Sequence, residues 1–335
     1  SIFCGSTAWG FMDIIQKLAE TGSYSELDLH FGRFMAELSD SDEESIIALS
    51  AILVSSYRRK GDVCLDIGRF AGSTISTGLH GEDTITCPGL TAWRAKLLAS
   101  KVVGLPGDIV PMILDEKDRL YLHRYWSYEK NLSELIKART TETCVQDVDQ
   151  DLLRAHLKNN FPKDADDRID WQLIAAAVAA LKRFCVISGG PGTGKTYAAA
   201  KILALILGQP RRRGWRVFLC APTGKAAARL AESIAEAKKN LVCPADIIRA
   251  IPEEGWTIHR MLKTVKGTPY FHYNTEKRLP ADIVVVDEAS MVDLPLMSKL
   301  IQAIPDEARL ILMGDRDQLA SVEAGSILGD ICGTK

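Results

Sequence analysis

Residues 185–196 read CVISGGPGTGKT, a short apolar run that breaks into Gly189-Gly190-Pro191-Gly192-Thr193-Gly194-Lys195-Thr196. The eight residues from Gly189 fit G-x-x-x-x-G-K-T without a mismatch, after a strand-like run and at the head of a helical one. Glycines at these places let successive backbone N–H groups turn toward phosphate oxygens, and the helix start adds partial positive charge. Lys195 is expected to reach the β- and γ-phosphates and Thr196 to hold a magnesium ion through its hydroxyl. The loop therefore predicts binding of ATP with Mg²⁺.

Working outward, the helical stretch DWQLIAAAVAALKRF precedes the loop and the strand-like RVFLCA follows its helix. Next come the helix GKAAARLAESIAEAKK, the strand DIVVV, the helix LPLMSKLIQAI and the strand RLILM. Strands alternating with helices imply a parallel sheet covered on both faces, and the unbroken apolar run of DIVVV suits a central strand. The predicted fold class is α/β, a RecA-like P-loop sheet with helices on both faces. A small mixed, mainly helical domain is expected in front of it.

Two further loops follow strands of that sheet. Asp287-Glu288-Ala289-Ser290 comes directly after DIVVV, where a carboxylate points into the cleft at the strand ends. Asp287 is expected to organise the magnesium shell and Glu288 to act as the base that activates water. Gly314-Asp315-Arg316-Asp317-Gln318 follows RLILM, and Gln318 is suited to hydrogen-bond the γ-phosphate or its water. On another side, Pro222, Thr223, Gly224 and Lys225 stand between a strand and a helix and could hold a nucleic-acid phosphate. Thr257 and His259 form a similar polar cluster; His259 reads equally as a structural histidine. Arg211-Arg212-Arg213 reads as a solvated connection.

The first half carries no catalytic pattern. ESIIALSAILVSSYRRK repeats its apolar face at helical spacing, and PMILDEKDRLYLHRYW predicts two short strands turning at Asp115–Asp118. Tyr121, Tyr125, Trp126 and Tyr128 read either as base-stacking groups or as a small core with a partner-facing surface. Trp126 is expected nearer the core than Tyr125. The predicted divisions are 12–125, a docking domain; 126–168, a helical linker; and 169–335, the sheet domain. FPKDADDR marks the last boundary.

Composition narrows the class. With 335 residues, 47% hydrophobic and 25% charged, the chain has room for two cores. Its net charge of -2 gives no global sign of nucleic acid, although a motor can confine its basic residues to one groove. The best apolar run, YAAAKILALIL, is interrupted by Lys201, so no membrane span is predicted. No signal peptide is read at the start, and Met12 is a candidate native start. None of the eight cysteines forms a CxxC pair, which fits a reducing cytoplasm and no thiolate metal site.

In order, VISGGPGTGKT, APTGKAAARL, TIHRML, VVVDEASMVDLP and GDRDQLASVEAG look like motifs I, Ia, Ib, II and III of superfamily 1 helicases. More narrowly, the chain resembles the RecD family, the alpha subunit of the RecBCD exodeoxyribonuclease V, over most of residues 110–335. That resemblance implies that Gln172 reads adenine and that ATP drives 5′-to-3′ translocation on single-stranded DNA. It also implies RecB-like and RecC-like partner subunits in double-strand break repair. Motifs IV to VI are absent before Lys335, so a fragment that binds ATP but hydrolyses it poorly is expected. A stand-alone RecD-like helicase is the alternative, though the helix–hairpin–helix repeats usual in those proteins are not found in residues 12–125. An adaptor with a decayed P-loop is a third reading, against which Lys195, Thr196, Asp287, Glu288 and Gln318 are all intact.

Overall fold

A computed structural model of the chain describes residues 10–40, 42–77, 83–141, 144–161, 169–190, 192–210, 214–318 and 327–333. Pro191, Arg211–Arg213 and most of FPKDADDR lie outside the described residues. The chain divides into two compact units, with the change near residue 130.

The first unit opens with three helices, α1 (Phe11–Glu20), α2 (Glu26–Ser39) and α3 (Glu44–Arg59). β1 (Cys64–Asp66) follows, then a hairpin of β2 (Thr74–Thr77) and β3 (Asp83–Thr86), then α4 (Leu90–Leu98). β4 (Val103–Gly104), β5 (Met112–Leu114) and β6 (Arg119–Leu122) complete the unit's strands, and α5 (His123–Thr141) carries the chain onward. The predicted pair of strands is β5 and β6, antiparallel with Leu114 opposite Leu120. Their sheet runs β1-β6-β5-β4. α3 is buried without interruption from Ile47 to Ser56, because it packs against other helices and against the sheet's apolar face. α2 approaches it so closely that a Cβ on Gly32 would lie 2.4 Å from Ile52, so glycine is required there. Trp93 is fully buried and its indole N–H donates to Ser50 Oγ at 2.8 Å.

The expected order of Trp126 and Tyr125 is reversed. Tyr125 is 8% exposed, and its hydroxyl accepts a 2.7 Å hydrogen bond from Arg58 Nε, whereas Trp126 is half-buried. Tyr121 is buried as well. A phenol with a cation to bond can enter a core that would strand its hydroxyl otherwise.

The second unit holds α6 (Gln150–Asn160), α7 (Trp171–Leu181), β7 (Phe184–Ser188), α8 (Lys195–Leu207), β8 (Val217–Ala221) and α9 (Gly224–Lys238). Then come α10 (Ala245–Ala250), β9 (Gly255–Thr257), α11 (Ile258–Leu262), β10 (Ile283–Val286), α12 (Leu294–Ala303), β11 (Arg309–Gly314) and α13 (Ile327–Gly333). The five strands are ordered β7-β11-β10-β8-β9, every pairing parallel. β10 and β11 are buried along their whole lengths, which only a sheet covered on both faces allows. This is the RecA-like α/β P-loop fold, preceded by a mainly helical region.

Two buried arginines tie helix ends to the sheet's amino edge. Arg309 Nη1 donates to the carbonyls of Ala179, Ala180 and Lys182 at 2.9, 2.8 and 3.0 Å, at the C-terminal end of α7. Arg139 Nη2 donates to Ile304 and Pro305 at 2.8 and 2.9 Å, just past α12. Last-turn carbonyls have no partner within their own helix, and a cation there also meets the negative end of the helix dipole. Arg309→Met should therefore destabilise the protein by about 3 kcal/mol. Urea unfolding measures it, and a loss below about 1 kcal/mol would mean that the carbonyls find other partners.

Candidate nucleotide and nucleic-acid edge of the second unit

Parallel strands end on one side, so the sheet delivers every loop of interest to its carboxyl edge. β7 leads into Gly189, β11 into Asp315, β10 into Asp287, β8 into Pro222, and β9 ends at Thr257. Three adjacent strands thus carry the glycine loop, the acids and Gln318; the two beyond them carry the residues expected to meet nucleic acid.

The loop has the backbone its glycines permit. Gly192 and Gly194 take φ of 75° and 76°, the left-handed region that side chains disfavour. A Cβ on Gly194 would also lie 2.8 Å from Gln172 Nε2, whereas Gly190 and Gly192 face open space. Lys195 Nζ donates to the carbonyls of Gly189 and of Gly190, the latter at 2.8 Å. Thr193 Oγ1 donates to the Gly190 carbonyl at 2.9 Å. Gln172, near the start of α7, donates from Nε2 to the Thr193 carbonyl at 3.0 Å, so it lies against the loop.

Asp287 and Thr196 meet although 91 residues separate them: the threonine hydroxyl donates to Oδ2 at 3.1 Å. Asp287 is 7% exposed, and burial pushes its carboxyl above the usual range. The Glu288 N–H, the Thr196 hydroxyl and the Lys195 charge pull it back only in part. A buried carboxylate short of positive charge, beside a hydroxyl, is an oxygen donor set that fits magnesium.

Glu288 stands at φ 51° and ψ 41°, a left-handed conformation that a non-glycine residue adopts at a cost of about 1–2 kcal/mol. Its N–H donates to Asp287 Oδ1 at 2.9 Å, which helps to orient the Asp287 carboxylate. Strain kept at the end of a buried strand is common where geometry serves a site. Gln318 is exposed, and its Oε1 accepts from Ser290 Oγ at 3.3 Å, joining the loop after β11 to that after β10. Ser290 had no role in the sequence reading, though DEAS contains it. Ser188 is another such residue; its Oγ accepts from the Arg316 N–H at 3.2 Å.

On the neighbouring strands, Ala221 pairs with Thr257 in register. That pairing brings together the two polar clusters that the sequence kept 34 residues apart. Thr223 caps α9 by accepting from the Ala226 N–H at 3.2 Å, and Thr257 caps α11 by accepting from the Arg260 N–H at 3.1 Å. Thr223, Gly224 and Lys225 are exposed. His259 is exposed too, with its ring edge-on to Phe271 at 5.6 Å, so it is not a core histidine.

A model described as "RecBCD enzyme subunit RecD, N-terminal domain" matches residues 20–121, and one described as an AAA domain matches residues 172–324. RecBCD enzyme subunit RecD of Mycobacterium tuberculosis is 35% identical over 322 residues, 95% of this chain and 52% of that protein. Over nearly all of its length the chain is therefore similar to RecD subunits. The RecD subunit of Haemophilus influenzae is 33% identical over 96% of this chain and 53% of its own length. The ATP-dependent RecD2 DNA helicase of Deinococcus radiodurans is 38% identical over 143 residues, 43% of this chain and 17% of that protein. The chain spans about half the length of the RecD subunits it matches. Among its described residues no helix is long and apolar enough to cross a membrane.

Proposed function

We propose that this chain is part of an ATP-dependent 5′-to-3′ DNA helicase subunit that works with RecB-like and RecC-like partners in double-strand break repair. The observation that carries the reading is the single carboxyl edge of the five-stranded sheet. There β7, β11 and β10 hold groups suited to a nucleotide, and β8 and β9 hold groups suited to a DNA backbone. The match of residues 20–121 to the amino-terminal domain of RecD favours the subunit over a stand-alone helicase.

In this reading the loop from Gly189 to Thr196, with Pro191 in it, cradles the phosphates of ATP, and Gln172 reads the adenine. Thr196 and Asp287 would hold the magnesium, which supplies positive charge to the phosphate oxygens. Glu288 takes a proton from the attacking water, and Gln318 senses the terminal phosphate. Pro222, Thr223, Gly224, Lys225, Thr257 and His259 face single-stranded DNA, largely through its phosphates.

Thr223→Ala and Lys225→Ala test the DNA side. Each should weaken single-stranded DNA about three- to tenfold, and the lysine variant should also lower the salt slope by about one. ATP affinity should not move. Fluorescence anisotropy across a salt series and a nucleotide titration read the two effects separately. Equal loss of both ligands would mean that β8 does not carry the DNA side.

A further inference from the structure

β9 carries Trp256 immediately before Thr257, and Arg260 follows on α11. The Arg260 guanidinium lies over the Trp256 ring, 4.4 Å from its centroid, and Glu254 sits 3.7 Å from the same guanidinium. Ring and carboxylate together hold the arginine in one place, yet its side chain remains 65% exposed. The guanidinium is thus a planar cation held near an indole ring and still largely open to water. β9 is the edge strand farthest in sheet order from the glycine loop, so the pair has no part in the proposed nucleotide site.

The chain after α11 adds charge beside it. Thr264 and Phe271 form an antiparallel bridge, with Gly267 at φ 77° in the turn between them. Between Lys263 and Lys277 there are three lysines and one acid, Glu276. Tyr270 in that hairpin is 66% exposed. His259, next to Arg260 in the chain, packs edge-on against Phe271, so the hairpin lies against α11.

We propose that Arg260, stacked on Trp256, is a platform on which one base of single-stranded DNA stacks, next to the phosphate contacts at Thr223 and Thr257. The proposal rests on the reading of β8 and β9 as the DNA side and adds to it a base contact. An unpaired base offers a free π-face that a base inside a duplex does not, and its backbone brings the negative charge that the lysines match. Stacking of this kind is tolerant of sequence because every base has such a face.

The test uses the full-length protein and two strands of equal length, oligo-deoxythymidylate and an abasic oligonucleotide with the same phosphates. The wild type should bind the base-bearing strand about tenfold more tightly. Arg260→Lys keeps the charge and removes the plane, so it should hold the abasic strand as before and lose most of the preference. Arg260→Ala should lose the preference and bind both strands more weakly, with a smaller salt dependence. Arg260 is exposed, and thermal melting should confirm that both variants fold. A preference left intact by Arg260→Lys overturns the platform. Equal binding of the two strands by the wild type overturns stacking while leaving the phosphate contacts standing. Insensitivity of abasic binding to Thr223→Ala and Lys225→Ala would instead overturn the DNA-side reading beneath it.

Discussion

Replacing Glu288 by Gln should lower ATP hydrolysis in the full-length protein by about 10²–10⁴-fold while leaving ATP affinity within about twofold. The amide keeps the shape of the carboxylate and its reach from the end of β10, but it cannot accept a proton from water. Its backbone N–H still donates to Asp287, so the carboxylate proposed for magnesium stays oriented. The left-handed backbone is retained as well, because Gln and Glu meet the same steric cost there. Single-turnover hydrolysis with an independent nucleotide titration separates the two quantities. Hydrolysis at the wild-type rate would remove Glu288 from the role of base. Equal falls in affinity and rate would mean that the side chain shapes the pocket rather than the reaction.

Lys195→Ala should be more damaging on the binding side. The ammonium donates to the carbonyls of Gly189 and Gly190, and in the proposed reading these neutral acceptors would give way to the phosphate oxygens of ATP. A charge-assisted bond to a phosphate is the stronger of the two. Its loss should weaken ATP about 10–100-fold, from about 1.5–3 kcal/mol. Hydrolysis at saturating ATP should fall by a further 10²–10³, roughly the effect of losing one donor to developing negative charge. Lys195→Met, which keeps most of the length without the charge, should behave alike. Unchanged ATP affinity in both variants would leave Lys195 as no more than a tie within its own loop.

What the sequence made legible was local. A glycine loop between a strand and a helix, and an unbroken apolar DIVVV, each state their structure within a dozen residues, and the sheet domain follows from repeating that unit. β9 was not legible. It is three residues long, and Gly255 in it has a role only in three dimensions, since a Cβ there would lie 2.2 Å from the Ala227 carbonyl on α9. Without β9 the register that joins Ala221 to Thr257 cannot be foreseen. The pairing of β1 with β6 across more than 50 residues escaped for the same reason. Tyr125 was misjudged because its burial depends on Arg58, which is 67 residues away and carries no local sign of that pairing. Glu288 hid its backbone: nothing in DEAS announces a left-handed residue, as a glycine would have done.

The clamp of Arg309 on the end of α7 reaches further than its own carbonyls. α7 has 11 residues, about 16 Å of rise, with Gln172 at one end and the arginine at the other. A rod fixed at its far end holds the near end still, so a Gln172 that reads adenine, as proposed, would meet its base already placed and lose little freedom on contact. Discrimination between purines by such a ready-made amide would be an entropic asset, stored at the edge of the sheet opposite the proposed nucleotide site. Loosening the rod would blur the choice of ATP over GTP before it slowed the chemistry. Fidelity and turnover would then answer to different edges of one sheet.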